Sequence, residues 1–237
     1  MGRGKRLDQV LAHLGLGSRK EVRRLIRQGW VRVGEEVVKD PGHLLDPERT
    51  PLFLEGKLLS YRKHHHLLLH KPAGHVTGRS EAEGPSVFRL LPEPYRGKVE
   101  PVGRLDKDTE GLLLFTSDGA LLHRLTHPRY KVEKVYYARL EAPAQEAYIQ
   151  AFAQGLKVEG ETFLPARLFI LTPFEVELRL VEGRHHQVKR MFQAVGNRVV
   201  YLKRLSLGPL SLDLAVGMVR SLSEAEEEAL YRAVGLP

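Results

Sequence analysis

The sequence predicts an α+β protein in two parts, a small basic head and a larger mixed body, and three observations carry that prediction. Positive charge is concentrated at one end: residues 1–32 hold nine Lys or Arg and two Asp or Glu, while the other 205 residues carry 28 and 27. The head shows two short helical periods followed by a hairpin pattern. Beyond residue 62, strand-like and helix-like stretches mix without the regular alternation of a βαβ chain.

The bulk properties narrow the class. With 237 residues, 42% hydrophobic and 28% charged, the chain is long enough for a mid-sized domain plus a small one and too apolar for wholesale disorder. No apolar run approaches the roughly 18 residues of a membrane helix, so a helical membrane-spanning protein is not expected. The start, MGRGKRLDQV, turns polar and periodic at once and carries no signal-peptide core. The absence of cysteine excludes disulfide scaffolds, thiolate zinc sites, iron–sulfur clusters and cysteine nucleophiles, and is compatible with a reducing cytoplasm.

In the head, Leu7, Val10, Leu11 and Leu14 recur at helical spacing and form one apolar stripe that ends near Gly15. Ser18 opens a second helix, and Glu21 three residues on completes a capping box. Val22, Leu25 and Ile26 face a core, which turns Arg19, Lys20, Arg23, Arg24 and Arg27 outward, and Gly29 suits the helix end. Val31 and Val33 pair with Val37 and Val38 across Gly34-Glu35-Glu36. Cations at the start and outer face of one helix suit phosphate, because the free amides there add partial positive charge. A solvated basic surface would have the same charge without this organisation. RLDQVLAHLGLGSRKEVRRLIRQGWVRVGEEVV resembles the S4 RNA-binding domain over about residues 3–50. That resemblance implies structured RNA as partner, with Arg3, Lys5, Arg6, Ser18, Arg19, Lys20, Arg23, Arg24 and Arg27 as its contacts. Such contacts position a protein on RNA and carry little sequence information.

The head closes through residues 51–63, giving an expected head at residues 1–62 and a body at 63–237. In the body, Leu67-Leu68-Leu69 starts a new apolar run, and Phe174, Val176, Leu178 and Leu180 alternate as one face of a strand. Val188, Met191, Phe192 and Val195 follow helical spacing up to Gly196-Asn197, and Ser223 with Glu226 caps a last helix over Glu224–Val234. There is no Walker loop, dinucleotide glycine fingerprint or internal repeat.

Three stretches of the body look chemical. VGRLDKDTEG, residues 102–111, sets three carboxylates and two cations directly before the apolar Leu112-Leu113-Leu114-Phe115. In extended chain Arg104 and Asp106 share a face, and an adjacent guanidinium favours the ionised carboxylate. On spacing alone, a charged turn accounts for these residues better than a catalytic cluster does. In EKVYY, Tyr136 and Tyr137 point to opposite faces, one to a core and one to a groove where it could stack on an extruded base. Cross-strand packing explains both tyrosines equally well. EGRHHQVKRM, residues 182–191, starts a helix whose apolar stripe leaves Arg184, Lys189 and Arg190 pointing to a partner or a carboxylate. Adjacent histidines do not face one another on a helix, so this pair does not read as a metal site, and neither does His64-His65-His66, a strand-like run with no matching carboxylate spacing.

Taken in order, KPAGHVTG, GRLDKDTEGLLLFTSDG, HPRYKVEKVYYARLE and EGRHHQVKRMFQAVGN resemble a pseudouridine synthase of the RsuA-like, ribosomal small-subunit group, and the S4-plus-synthase order matches that group along the whole chain. The resemblance implies a synthase domain with a mixed, mainly antiparallel sheet flanked by helices. It implies Asp106 as the catalytic aspartate, Arg104 and Tyr136 holding a flipped-out nucleotide, and Lys189 pairing with the aspartate. Many relatives carry arginine at Lys189 and threonine or serine at Glu110. The implied reaction isomerises a uridine of ribosomal RNA, 16S ahead of 23S, on free RNA or a partly assembled subunit in the cytoplasm. It needs no cofactor or metal and implies no protein partner. A non-catalytic S4-type assembly factor, and a hydrolase pairing Asp106 with Asp108, are the competing readings.

Overall fold

The computed structural model describes residues 4–237, so Arg3, one of the cations assigned to RNA, lies outside the described residues. The chain divides into two compact units, residues 1–64 with Glu93–Gly97, and His65–Pro92 with Lys98–Pro237.

In the first unit, helices α1 (Leu7–His13) and α2 (Arg19–Arg27) accompany a four-stranded antiparallel sheet ordered Glu36–Val37, Val31–Val33, Leu52–Leu54, Lys57–Leu59. Both halves of the capping box form: the Glu21 amide donates to the Ser18 hydroxyl at 3.3 Å, and the Ser18 amide donates to the Glu21 carboxylate at 2.7 Å. Val22 and Ile26 pack against Leu7, Val10 and Leu11, which leaves Arg19, Lys20, Arg24 and Arg27 exposed.

Arg6 and Arg23 have a second task. Asp8 is fully buried, and its carboxylate takes Nε–H groups from Arg6 at 3.1 Å and from Arg23 at 2.8 Å. The Arg6 hydrogen bond leads in lowering the Asp8 carboxyl from its ordinary 3.8 to about 2, burial opposes it, and Arg23 adds to the lowering. A depressed folded-state value stabilises above the unfolded value and is lost as pH falls through the folded one. Asp8→Asn should therefore destabilise this unit by roughly 2 kcal/mol at neutral pH, with the half-exposed arginines softening the loss. The difference from wild type should shrink between pH 4 and pH 2. Urea titration followed by the fluorescence of Trp30, the sole tryptophan and a residue of this unit, checks both statements.

The second unit is built on one large sheet. Its main path runs Arg167–Thr172, Glu175–Leu180, Lys134–Leu140, Val199–Leu207, Glu110–Thr116, His66–Lys71, Val219–Ser221. Every ladder is antiparallel except that between Val199–Leu207 and Glu110–Thr116. The sheet is thus mixed and mainly antiparallel. Strands His66–Lys71 and Glu110–Thr116 are buried almost throughout, so both read as continuous apolar runs. On one face Leu68, Leu112 and Leu114 pack with Leu121 and Leu125 of α3 (Gly119–Thr126) and Leu230 of α6 (Glu224–Ala233). On the other, Phe115 meets Phe88 at 5.5 Å between ring centroids. Phe152 of α4 (Ala147–Ala153) meets Phe192 of α5 (Gln187–Ala194) at 5.1 Å.

Val176, Leu178 and Leu180 point into the core as their alternation predicts, but Phe174 does not. It sits in the turn before strand Glu175–Leu180 and is exposed, because the hairpin reverses there and carries its side chain off the sheet face.

Candidate active site

The chain from Gly103 to Thr109 is an irregular loop entering the strand Glu110–Thr116, and the residues beneath clamp it. The Thr77 hydroxyl donates to the Leu105 carbonyl at 2.8 Å and accepts from the Leu105 amide at 3.2 Å. The Gly74 amide donates to the Lys107 carbonyl at 2.8 Å. Lys71, fully buried at the end of its strand, spends its three protons on the carbonyls of Thr109 at 2.7 Å, Pro72 at 3.0 Å and Lys107 at 3.1 Å. Burial pushes its ammonium down to about 8, against the pull of Asp108, Asp106 and Glu110. A positive charge under the loop and backbone bonds along it fix Asp106 without touching its carboxylate.

Two groups reach that carboxylate. Lys189 of α5 places Nζ 3.3 Å from one Asp106 oxygen, and His186 places Nε2 3.3 Å from the other. Lys189 also donates to Asp108 at 2.7 Å. Partial burial works against the Lys189 charge, but Asp108 and Asp106 outweigh it and hold its value above the ordinary one. The three residues line a cleft of about 870 Å³ together with Arg104, Tyr136, Lys134 and Arg204. That volume suits a nucleotide-sized ligand. Tyr136 is the buried, cleft-facing tyrosine, whereas Tyr137 points the other way and donates its hydroxyl to Glu175. Arg104 is exposed at the cleft and forms no ion pair among the described residues. Glu110 accepts from the Tyr201 hydroxyl at 2.5 Å.

The cleft therefore brings together Asp106, Arg104, Tyr136 and Lys189, with Arg184 of EGRHHQVKRM also on its lining and Arg190 directed elsewhere. Arg190 turns to Glu161 at 2.6 Å and Glu159 at 3.1 Å, and Arg184 lies 3.6 Å from Glu182. The histidine pair differs from its sequence reading. The helix begins only at Gln187; His186 precedes it in the left-handed conformation, φ 49°, so the two imidazoles stack at 3.7 Å instead of diverging. That backbone turn is what aims His186 at Asp106. A non-glycine residue in this conformation carries no mark in the sequence. Thr77 and Arg204 carried no signal in the sequence, Lys71 offered one as a lysine closing an apolar strand run, and Lys134 stood inside EKVYY with no role assigned to it.

A basic capped-helix unit accompanying a cleft that holds a fixed carboxylate, an aromatic ring and several cations defines an RNA-modifying enzyme. The RNA pseudouridylate synthase family matches residues 65–194 and the S4 domain matches residues 5–50. An uncharacterized RNA pseudouridine synthase of Bacillus subtilis is 41% identical over 229 residues, 93% of this chain and 96% of that protein. The ribosomal small subunit pseudouridine synthase A of Escherichia coli K12 is 41% identical over 226 residues, 93% of this chain and 97% of its own. A crystal structure of a pseudouridylate synthase, 38% identical, superposes with a TM-score of 0.68 over 95% of this chain and 99% of that one. The chain belongs to the RNA pseudouridine synthase family and carries an S4 RNA-binding domain at its N-terminal end. No described helix is long and apolar enough to cross a membrane.

Proposed function

We propose that this enzyme converts one uridine of small-subunit, 16S, ribosomal RNA to pseudouridine, with Asp106 acting at the sugar of a nucleotide drawn out of its stack. The observation that carries the reading is the Asp106 carboxylate held in the cleft between Lys189 and His186 at 3.3 Å each, with Tyr136 and Arg104 lining the same space. The Escherichia coli relative, named for the small subunit and similar over nearly its whole length, supports the choice of RNA.

In this reading the C1′–N1 bond breaks with its electron pair leaving on the uracil ring. Asp106 answers the electron demand at the sugar, either by bonding to C1′ or by taking the C2′ proton. The ring turns, C5 supplies the pair that bonds to C1′, and the carboxylate is released or the C2′ proton returned. C5 then loses its proton and N1 gains one, so composition is unchanged and no redox partner is required. Extruding the nucleotide costs a few kcal/mol, which stacking on Tyr136 and a charged contact from Arg104 offset in part. Lys189 and His186, each 3.3 Å from one carboxylate oxygen, hold the carboxylate in its orientation. Ribosomal RNA, free or in a partly assembled subunit, is then the partner, and the cytoplasm the place of work.

The exposed cations of α2 supply the RNA affinity in this account. Replacing Arg19, Lys20, Arg24 and Arg27 together with Gln should weaken rRNA binding about 100-fold at 0.1 M salt. It should also flatten the plot of log affinity against log salt by about 3. Filter binding across a salt series reads both. Arg6 and Arg23 are left intact in this variant because they neutralise buried Asp8. Release of tritium from rRNA labelled at uridine C5 tests the reaction itself: release is expected from wild type, and its absence on 16S RNA would remove the proposed activity.

A further inference from the structure

We propose that Lys134 and Arg204 form an oxygen-binding subsite in the cleft that takes the charge of the uracil ring as its bond to the sugar breaks. The proposal rests on the pseudouridine reading above and extends it to two residues outside the Asp106 cluster. Arg204 lines the cleft yet is only 2% exposed. Its Nε donates to the Leu112 carbonyl at 2.8 Å, and its buried Nη2 has no partner. Leaving a buried guanidinium nitrogen unpaired is costly, and such a group persists where a ligand completes it. Lys134 also lines the cleft, and its Nζ makes one hydrogen bond, to the Val132 carbonyl at 3.1 Å, which leaves protons to give. Strand pairing sets Arg204 directly across from Tyr136, and Lys134 lies two residues before Tyr136 on its strand. The three side chains therefore share one face, and a base stacked on Tyr136 would lie beside both cations.

The neighbouring acid, Glu182, makes no ion pair with Lys134 or Arg204 among the described residues; its Oε2 lies 3.6 Å from Arg184. Glu182 is buried and its Oε1 is taken by the Leu164 amide at 2.6 Å and by Gln187 Nε2 at 2.8 Å. A site with spare donors and no carboxylate paired to them fits an acceptor oxygen that becomes negative during the reaction. When the C1′–N1 pair leaves on the ring, the anion is shared between N1 and the O2 and O4 carbonyl oxygens, while Asp106 answers the demand left at the sugar. Donors already in place for that anion act in the transition state more than in the bound ground state.

The test uses the full-length protein, Lys134→Met and Arg204→Lys, in single-turnover reactions on 16S RNA made with uridine or with 5-fluorouridine. The fluorinated ring leaves as a more stable anion and depends less on the two cations. On uridine RNA each variant should be slowed about 100-fold. On 5-fluorouridine RNA, followed by chromatography of the digested nucleosides, the loss should be at least about tenfold smaller. RNA affinity and melting temperature should stay near those of wild type. Equal slowing on both RNAs, whether with weakened RNA affinity, as for a phosphate contact, or with a lowered melting temperature, as for packing alone, would overturn the proposal, as would unslowed turnover. Should Arg204→Lys melt early, Lys134→Met decides. A wild-type enzyme that releases no tritium would instead overturn the reading beneath the proposal.

Discussion

Asp106→Asn should lower pseudouridine formation by at least about 10⁴-fold while leaving RNA affinity within about threefold of wild type. The amide keeps the size of the carboxylate but removes the charge that Lys189 and His186 hold from either side at 3.3 Å. It can neither bond to the sugar carbon as an anion nor accept a ribose proton. Asp108 is not positioned as a substitute: its side chain is 73% exposed and already bonded to Lys189 at 2.7 Å. Asp108→Asn should accordingly cost less than about tenfold, through a less well-anchored Lys189. RNA affinity survives both changes because the exposed cations of α2 lie in the other unit. Single-turnover tritium release with filter binding on the same preparations checks the pair. Substantial turnover by Asp106→Asn would remove the assigned role.

The second large effect is structural. Gly111→Ala should cost about 4 kcal/mol or more and leave little folded synthase unit. Gly111 has φ 113°, and a Cβ added there would lie 2.2 Å from the Arg204 carbonyl oxygen and 2.6 Å from its amide nitrogen. Both are backbone atoms of the parallel partner strand, so no side chain can swing aside. The close approach joins strands Glu110–Thr116 and Val199–Leu207, and it brings Arg204 beneath the loop that carries Asp106. Circular dichroism and thermal melting of the variant test this. A melting temperature within a few degrees of wild type would show that the strands can separate at little cost.

These two residues also show what was legible in the sequence. The capped helix of the head was readable because a capping box and an apolar stripe are local patterns, and both form where expected. The apolar runs at Leu67 and Leu112 marked two neighbouring buried strands for the same reason. Within the cleft, spacing alone fitted a charged turn, and it was the resemblance of the four motifs together to a pseudouridine synthase that pointed to Asp106, Arg104, Tyr136 and Lys189. Residues that depend on distant pairing were not readable. Arg204 matters because its strand lies parallel to Gly111, and Lys71 because its ammonium meets carbonyls 36 and 38 residues away. His186 depends on a backbone conformation that departs from the helix expected around it. Phe174 followed the alternation of its strand yet lies in the turn, because periodicity does not show where a strand begins.

A cleft that turns one uridine of small-subunit RNA into pseudouridine leaves its mark at one position of that RNA. Mapping pseudouridines in 16S and 23S RNA from cells with and without the intact gene tests this most directly, with Asp106→Asn as the control. One 16S position should lose its modification in the deletion, regain it with wild type and not regain it with Asp106→Asn. A position lost in 23S RNA alone, or full restoration by Asp106→Asn, would contradict it.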